Sequence, residues 1–172
     1  MRVWHPEAFM WSGGAGKDRM LIISSSLAVI SLMLASYEDI RTRSVTNAVW
    51  WIFSAGLLML LFERRGVWVS YVPESILAVV IQEFIMSRAY GRADSHAFSC
   101  CAVFLCLTGS GLEGHILHMS LALVMLSGLQ ILRGNITRGL KLKRPVPFIP
   151  YIAVSFMISV IILHIVTPPV CW

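Results

Sequence analysis

Six apolar runs, separated by short polar and charged segments, constrain this chain more than any other feature. They cover roughly residues 20–37, 48–62, 75–89, 96–108, 115–132 and 146–166. A helix needs about 20 residues to cross the hydrocarbon core of a bilayer, and the fourth run, the shortest, is short enough to be a re-entrant segment instead. In lipid the backbone must satisfy its hydrogen bonds internally, which makes such runs helices rather than isolated strands. Their ends carry the right punctuation: Arg64, Arg65 and Gly66, then Gly91, then Gly109, Ser110 and Gly111, then Gly134 and Asn135, and finally Pro145. The expectation is an all-α, polytopic membrane protein, a bundle of about six transmembrane helices.

Composition excludes the soluble alternative. Hydrophobic residues make up 57% and charged residues 13% of the 172, against about 45–50% and about 25% in soluble domains. A soluble fold of this size has no interior large enough for that much apolar surface. The formal net charge of +5 does not mark a nucleic-acid partner, because Lys and Arg sit in the segments between runs rather than along one helix face. They carry a topology signal instead. With six spans and the N-terminus outside, the inner segments 38–47, 88–95 and 133–145 hold nine of the fourteen basic residues. The opposite orientation leaves five inside, and treating the short fourth run as re-entrant puts the basic segment 133–144 outside. The positive-inside rule therefore favours six spans with both termini outside.

Residues 1–19 form an extramembrane lead-in to a single membrane domain, 20–172. The first run is not a cleaved signal peptide, since no small-residue cleavage site follows it, and Met20 is an alternative start because the membrane pattern begins there. Cys100, Cys101, Cys106 and Cys171 form no Cys-x-x-Cys pair, so they are expected to pack as small apolar residues. No metal and no cofactor is expected.

Two acidic residues fall where a span meets the inner surface. Asp39 closes the first span in SYEDIRTRSVTN, and Asp94 opens the fourth in YGRADSHAF. The chain between them is one helical hairpin out and back, which returns both carboxylates to the same membrane level. Two carboxylates sharing a poorly hydrated site cannot both ionise easily, so the pair titrates as a unit. The ionised partner can take a proton from water while the protonated one donates to a carbonyl oxygen, which is the chemistry of amide hydrolysis without a metal. The structural alternative is that Asp94 caps the fourth helix and Asp39 bonds Arg41 or Arg43.

The stretch from Ser36 to Asn47 resembles the first signature of the type IV prepilin peptidases, above all their archaeal preflagellin/prepilin branch. Asp39, Ile40, Arg41, Arg43 and Asn47 stand for its Asp at a helix end, hydrophobic residue, Arg, second basic residue and Asn. Gly91-Arg92-Ala93-Asp94 resembles the second, Gly-x-Gly-Asp, signature of these GxGD-type membrane aspartic peptidases, and Pro147-Phe148-Ile149-Pro150 resembles the Pro-rich start of the family's last helix. The resemblance covers about residues 20–166. It implies Asp39 and Asp94 as catalytic residues, with Gly91, Ala93, Arg41, Arg43 and Asn47 shaping the site. It implies as substrate a prepilin or preflagellin whose short basic leader is removed at the cytoplasmic membrane face. Ala93 departs from the second Gly, and is a poor fit only if that position needs positive φ. Thr46 stands where bacterial relatives tend to have Pro. The bacterial Cys-x-x-Cys pairs and any methyltransferase feature are missing, so peptidase activity alone is expected.

Other polar residues bear on the site. Glu83 lies within the third span, where an unpaired charge is costly, and is expected to hydrogen-bond Gln82 or Ser87 or to face a hydrated cavity. His96 follows Asp94 by two residues, as an accessory group or a surface histidine. His115 and His118 are expected at the opposite membrane face, a weak i, i+3 pair for metal. Two alternatives remain open: a small transporter whose Asp39, Glu83 and Asp94 bind a cation, and a non-catalytic membrane assembly subunit in which both aspartates are caps.

Overall fold

The computed structural model describes residues 14–63, 68–136 and 147–166, and everything described is helical apart from short turns. Helix α1 is Gly14–Thr42 and α2 is Asn47–Glu63. Helix α3 runs as Trp68–Val80, widens into a π-helical segment at Ile81–Met86, and finishes as Ser87–Tyr90. Then come α4 at Arg92–Leu107, α5 at Gly111–Ile136 and α6 at Ile149–Val166. The segment 14–19, expected as lead-in, is therefore part of the first helix.

Among the described residues, three stretches are long and apolar enough to cross a membrane: Arg19–Thr42, Val69–Ala89 and Gly111–Leu132. Asn47–Glu63 and Ile149–Ile162 are shorter apolar helices. At 16 residues and 1.5 Å per residue, α4 reaches only about 24 Å, short of the roughly 30 Å hydrocarbon thickness. The six-span count is thus larger than the number of helices that meet the span criterion.

Helix α4, bounded by Gly91 and Thr108, is the centre of the bundle. Helices α2, α3, α5 and α6 pack against it, and α1 packs against α2 and α6. From Ser95 to Leu107 only His96 and Val103 escape burial. That enclosure explains its run of small residues, Ser-Cys-Cys-Ala at 99–102: neighbours on every side leave no room for bulk. Cys100, Cys101 and Cys106 are buried free thiols packed in this helix; Cys171 and the basic residues of 137–146 lie outside the described residues.

Close approach joins the other helices. A Cβ on Gly56 of α2 would sit 3.1 Å from the Ser24 carbonyl oxygen of α1, and Ser31 Oγ donates to the Val49 carbonyl at 2.7 Å. Glu74 of α3 accepts the Leu112 amide at 2.9 Å, satisfying an orphan donor at the start of α5. An aromatic column of Phe53, Phe104 and Phe156, in edge contact at 6.4 and 5.3 Å, ties α2, α4 and α6 together.

Candidate functional site: two aspartates at one end of the bundle

The α1–α2 turn, the α3–α4 turn and the start of α6 lie at the same end of the bundle, and there Asp39 and Asp94 stand near enough for the charge of one to act on the other. Asp39 sits in the last turn of α1, which runs on to Thr42 rather than stopping at the aspartate. The amides of Phe148 and Ile149, at the start of α6, donate to its carboxylate. A helix start presents unpaired N–H groups and a positive dipole end, both suited to an anion. Pro150, having no N–H, leaves Phe148 and Ile149 as the donors nearest the tip. Their amides and the Arg43 charge oppose the cost of burying this carboxylate. Its Oδ2 is buried and has no hydrogen-bond partner among the described residues.

The residues around Asp39 divide the labour. Arg43 adopts φ of +61°, the left-handed conformation usual for Gly just beyond a helix end and strained for a residue that carries a Cβ. Its amide closes the helix on the Asp39 carbonyl at 3.1 Å. Arg41 turns away, donating to the Tyr37 hydroxyl at 3.1 Å. Glu38 accepts the Thr46 amide at 2.7 Å and the Thr46 hydroxyl at 3.0 Å, which locks the turn before Asn47 opens α2. Adjacent acids therefore part company: Glu38 holds the loop, and Asp39 enters the bundle.

Asp94 lies in the first turn of α4, ahead of the apolar run, and is not the cap that its position suggested. The N-cap is Gly91, at φ +112° and ψ +157°, with no side-chain capping bond. Only Gly takes that conformation readily. Its carbonyl accepts the Ser95 amide at 3.1 Å, and a Cβ there would lie 3.6 Å from Asp94 Oδ2. Ala93, inside the helix, is not among the positive-φ residues, so the departure from Gly-x-Gly-Asp carries no backbone strain. Burial, and then the charge of Asp39, push the Asp94 carboxyl up to about 7.

Glu83 does not join the two aspartates. Its Oε1 accepts from Ser99 Oγ at 2.9 Å and from His96 Nδ1 at 3.1 Å. The Glu83 carboxylate bonds neither Gln82 nor Ser87; the Ser87 hydroxyl donates instead to the Glu83 backbone carbonyl. Gln82 points to α5, within 3.2 Å of His115 Nε2 and 2.9 Å of Met119 Sδ. His96 is half-exposed and stands edge-on to Trp50 at 5.1 Å. Two residues along a helix turn the side chain by about 200°, so His96 faces away from Asp94.

His115 and His118 correct the expectation of an opposite-face pair. Both are buried inside the bundle, and His118 Nε2 reaches the Ile152 carbonyl at 3.1 Å, within a turn of the amides that serve Asp39. The reason is depth along the helix: His118 follows the start of α5 at Gly111 by two turns, about 10 Å, which carries it toward the middle of the short α4. Among the described residues no three His, Cys, Asp or Glu side chains cluster as a metal site.

An apolar cavity of about 270 Å³ between α2 and α3, lined by Leu57, Leu61, Val72, Ile76, Val103 and Leu107 among others, holds no acidic group. The chemistry-bearing residues are elsewhere. The α6 amides, Glu38 and Ser99 had no signal as site residues in the sequence: amides are not encoded by residue type, and Ser99 reads as helix filler. No family model matches the chain, and neither a curated protein nor a solved structure does.

Proposed function

We propose that this chain is a membrane-embedded aspartic endopeptidase that removes the short basic leader of a prepilin or preflagellin at the cytoplasmic membrane face. The observation that carries the reading is the meeting of two carboxylates from distant helices, with the charge of one acting on the other. Six helices would cross the bilayer, with α4 shielded inside the bundle, and both aspartates would lie toward the cytoplasm.

In this reading the two environments assign the roles. Asp94, shifted to about 7 by burial and by Asp39, holds the proton near neutral pH and donates it to the scissile carbonyl oxygen. Asp39, supported by the α6 amides, stays ionised and takes a proton from the attacking water through its unpartnered Oδ2. The water's oxygen bonds to the carbonyl carbon; as the C–N bond breaks, Asp39 passes the proton it took from water to the leaving amine, and Asp94 recovers its proton from the hydroxyl that collapses to the new carboxyl group. No metal or covalent intermediate is required. The transporter alternative needs Glu83 gathered with the two aspartates, whereas Glu83 is bonded to His96 and Ser99.

The test is cleavage by detergent-solubilised protein of a panel of preflagellin and prepilin substrates. Wild type is expected to shorten at least one, and Asp39→Asn and Asp94→Asn each to lose about 100- to 10,000-fold while remaining folded, the range for removing a general acid or base. Full activity in either variant sinks the paired-carboxylate mechanism, and no cleavage of any substrate by wild type sinks the peptidase reading.

A further inference from the structure

Asp94 needs something to hold it. Its helix begins at Gly91, a joint with no side-chain cap, and the two partly buried carboxylates repel whenever both are charged. Backbone bonds at Gly91, from its amide to Ser87 at 3.3 Å and to its carbonyl from Ser95 at 3.1 Å, fix the turn locally. They do not fix the height or rotation of α4 against its neighbours.

Glu83 supplies that hold. A single oxygen, Oε1, takes Ser99 Oγ at 2.9 Å and His96 Nδ1 at 3.1 Å. These residues follow Asp94 by five and two positions, and at 100° per residue both lie on the far side of α4 from it. His96 is pressed in turn by Trp50 of α2. Glu83 thus grips α4 from the side opposite Asp39. It does so from the π-helical segment Ile81–Met86, where the wider turn changes the register of everything after it, including Gly91. The preceding residue, Gln82, anchors the same segment to α5 through His115 and Met119. A carboxylate this far inside an apolar span is costly, and the amide chemistry proposed for Asp39 and Asp94 makes no use of it.

We propose that Glu83 is a positioning residue for Asp94: by gripping His96 and Ser99 it sets the height and rotation at which α4 presents Asp94 to Asp39. It touches neither carboxylate and acts through the helix. The consequence for activity rests on the peptidase reading; the geometric claim does not.

The experiment separates the two. In the full chain, Asp39→Cys and Asp94→Cys are combined, and disulfide formation under a mild oxidant is timed in detergent, with the linked peptide identified by mass spectrometry; the native cysteines at 100, 101 and 106 are buried. The 39–94 bond is expected to form readily. Adding Glu83→Ala is expected to slow it about tenfold or more at temperatures well below melting. Glu83→Gln, the same shape and still an acceptor for Ser99, is expected to slow it less and carries the test if the alanine variant does not fold. With the aspartates intact, Glu83→Ala is expected to lower kcat up to about 100-fold, the scale of a misplacement of about 1 Å, with KM within about twofold. A crosslinking rate unchanged by both substitutions, whatever the melting temperatures do, overturns the proposal, as does failure of the 39–94 bond to form with Glu83 in place. If wild type cleaves nothing, the peptidase reading falls while the crosslink still decides the role of Glu83.

Discussion

Asp39 and Asp94 are the same side chain in two settings. Asp39 sits at the C-terminal end of a helix, the wrong end for an anion, and is partly buried as well, but amides lent from the start of α6 and the Arg43 charge oppose that cost. Asp94 sits in the first turn of a helix, the favourable end, yet has burial and a like charge against it. Local position alone would make Asp94 the easier carboxylate to ionise. Tertiary surroundings reverse that order, because the donors to Asp39 come from a helix more than a hundred residues away. The lesson is that acid and base roles in such a pair are assigned by what packs around each carboxylate, not by where each stands on its own helix.

The pH profile should break or confirm that contrast most sharply. With Asp94 titrating near 7, cleavage is expected to fall about tenfold per unit as pH rises beyond that point, as a required protonated group predicts. A rate still rising at pH 9 would exchange the roles. Stability gives a second check with its own sign. A carboxyl whose folded pKa is raised binds its proton more tightly when folded, so its contribution is full below the ordinary value of 3.8 and is lost as pH rises toward 7. Asp94→Asn is therefore expected to melt above wild type at pH 8, with the gap closing toward pH 4. Equal melting curves across that range would mean that Asp94 is not perturbed.

Smaller effects come from the joints beneath the two residues. Gly91→Ala forces a side chain into φ +112°, and should cost about 1–3 kcal/mol of stability together with activity; chemical denaturation and the cleavage assay read both. Arg43→Gly relieves the left-handed strain, worth about 1 kcal/mol, while removing the charge beside Asp39. It is expected to give a more stable and less active protein, and gains in both would show that Arg43 serves the loop alone. The smallest change is Ala93→Gly. A Gly there should lower stability by about 0.5–1 kcal/mol with no gain in cleavage, because the residue is already helical.

Several features were legible in the residues. The helical class followed from the apolar runs, since a backbone in lipid has no other easy way to pair its polar groups. The helical hairpin between Asp39 and Asp94 foretold that they return to one end, and Gly91 marked the turn. Ala93 was readable as conditional: acceptable if that position is helical, which it is. Less legible was α4. Its short run looked like one more span, and only packing shows it enclosed by four neighbours.

Side-chain partnerships inside the bundle were decided by tertiary structure alone. Glu83 was expected at Gln82 or Ser87, its sequence neighbours, and instead reaches across to His96 and Ser99. His115 and His118, expected at the far surface, are buried within the bundle, one and two turns in from the start of α5. The physical reason is common to both. Hydrophobic periodicity and end signals are local, so the chain alone determines which segments are helices and which residues mark their ends. The partner of a buried polar group depends on helix rotation, offset and register, and the π-helical turn at Ile81–Met86 resets that register without any signal in the residues that form it.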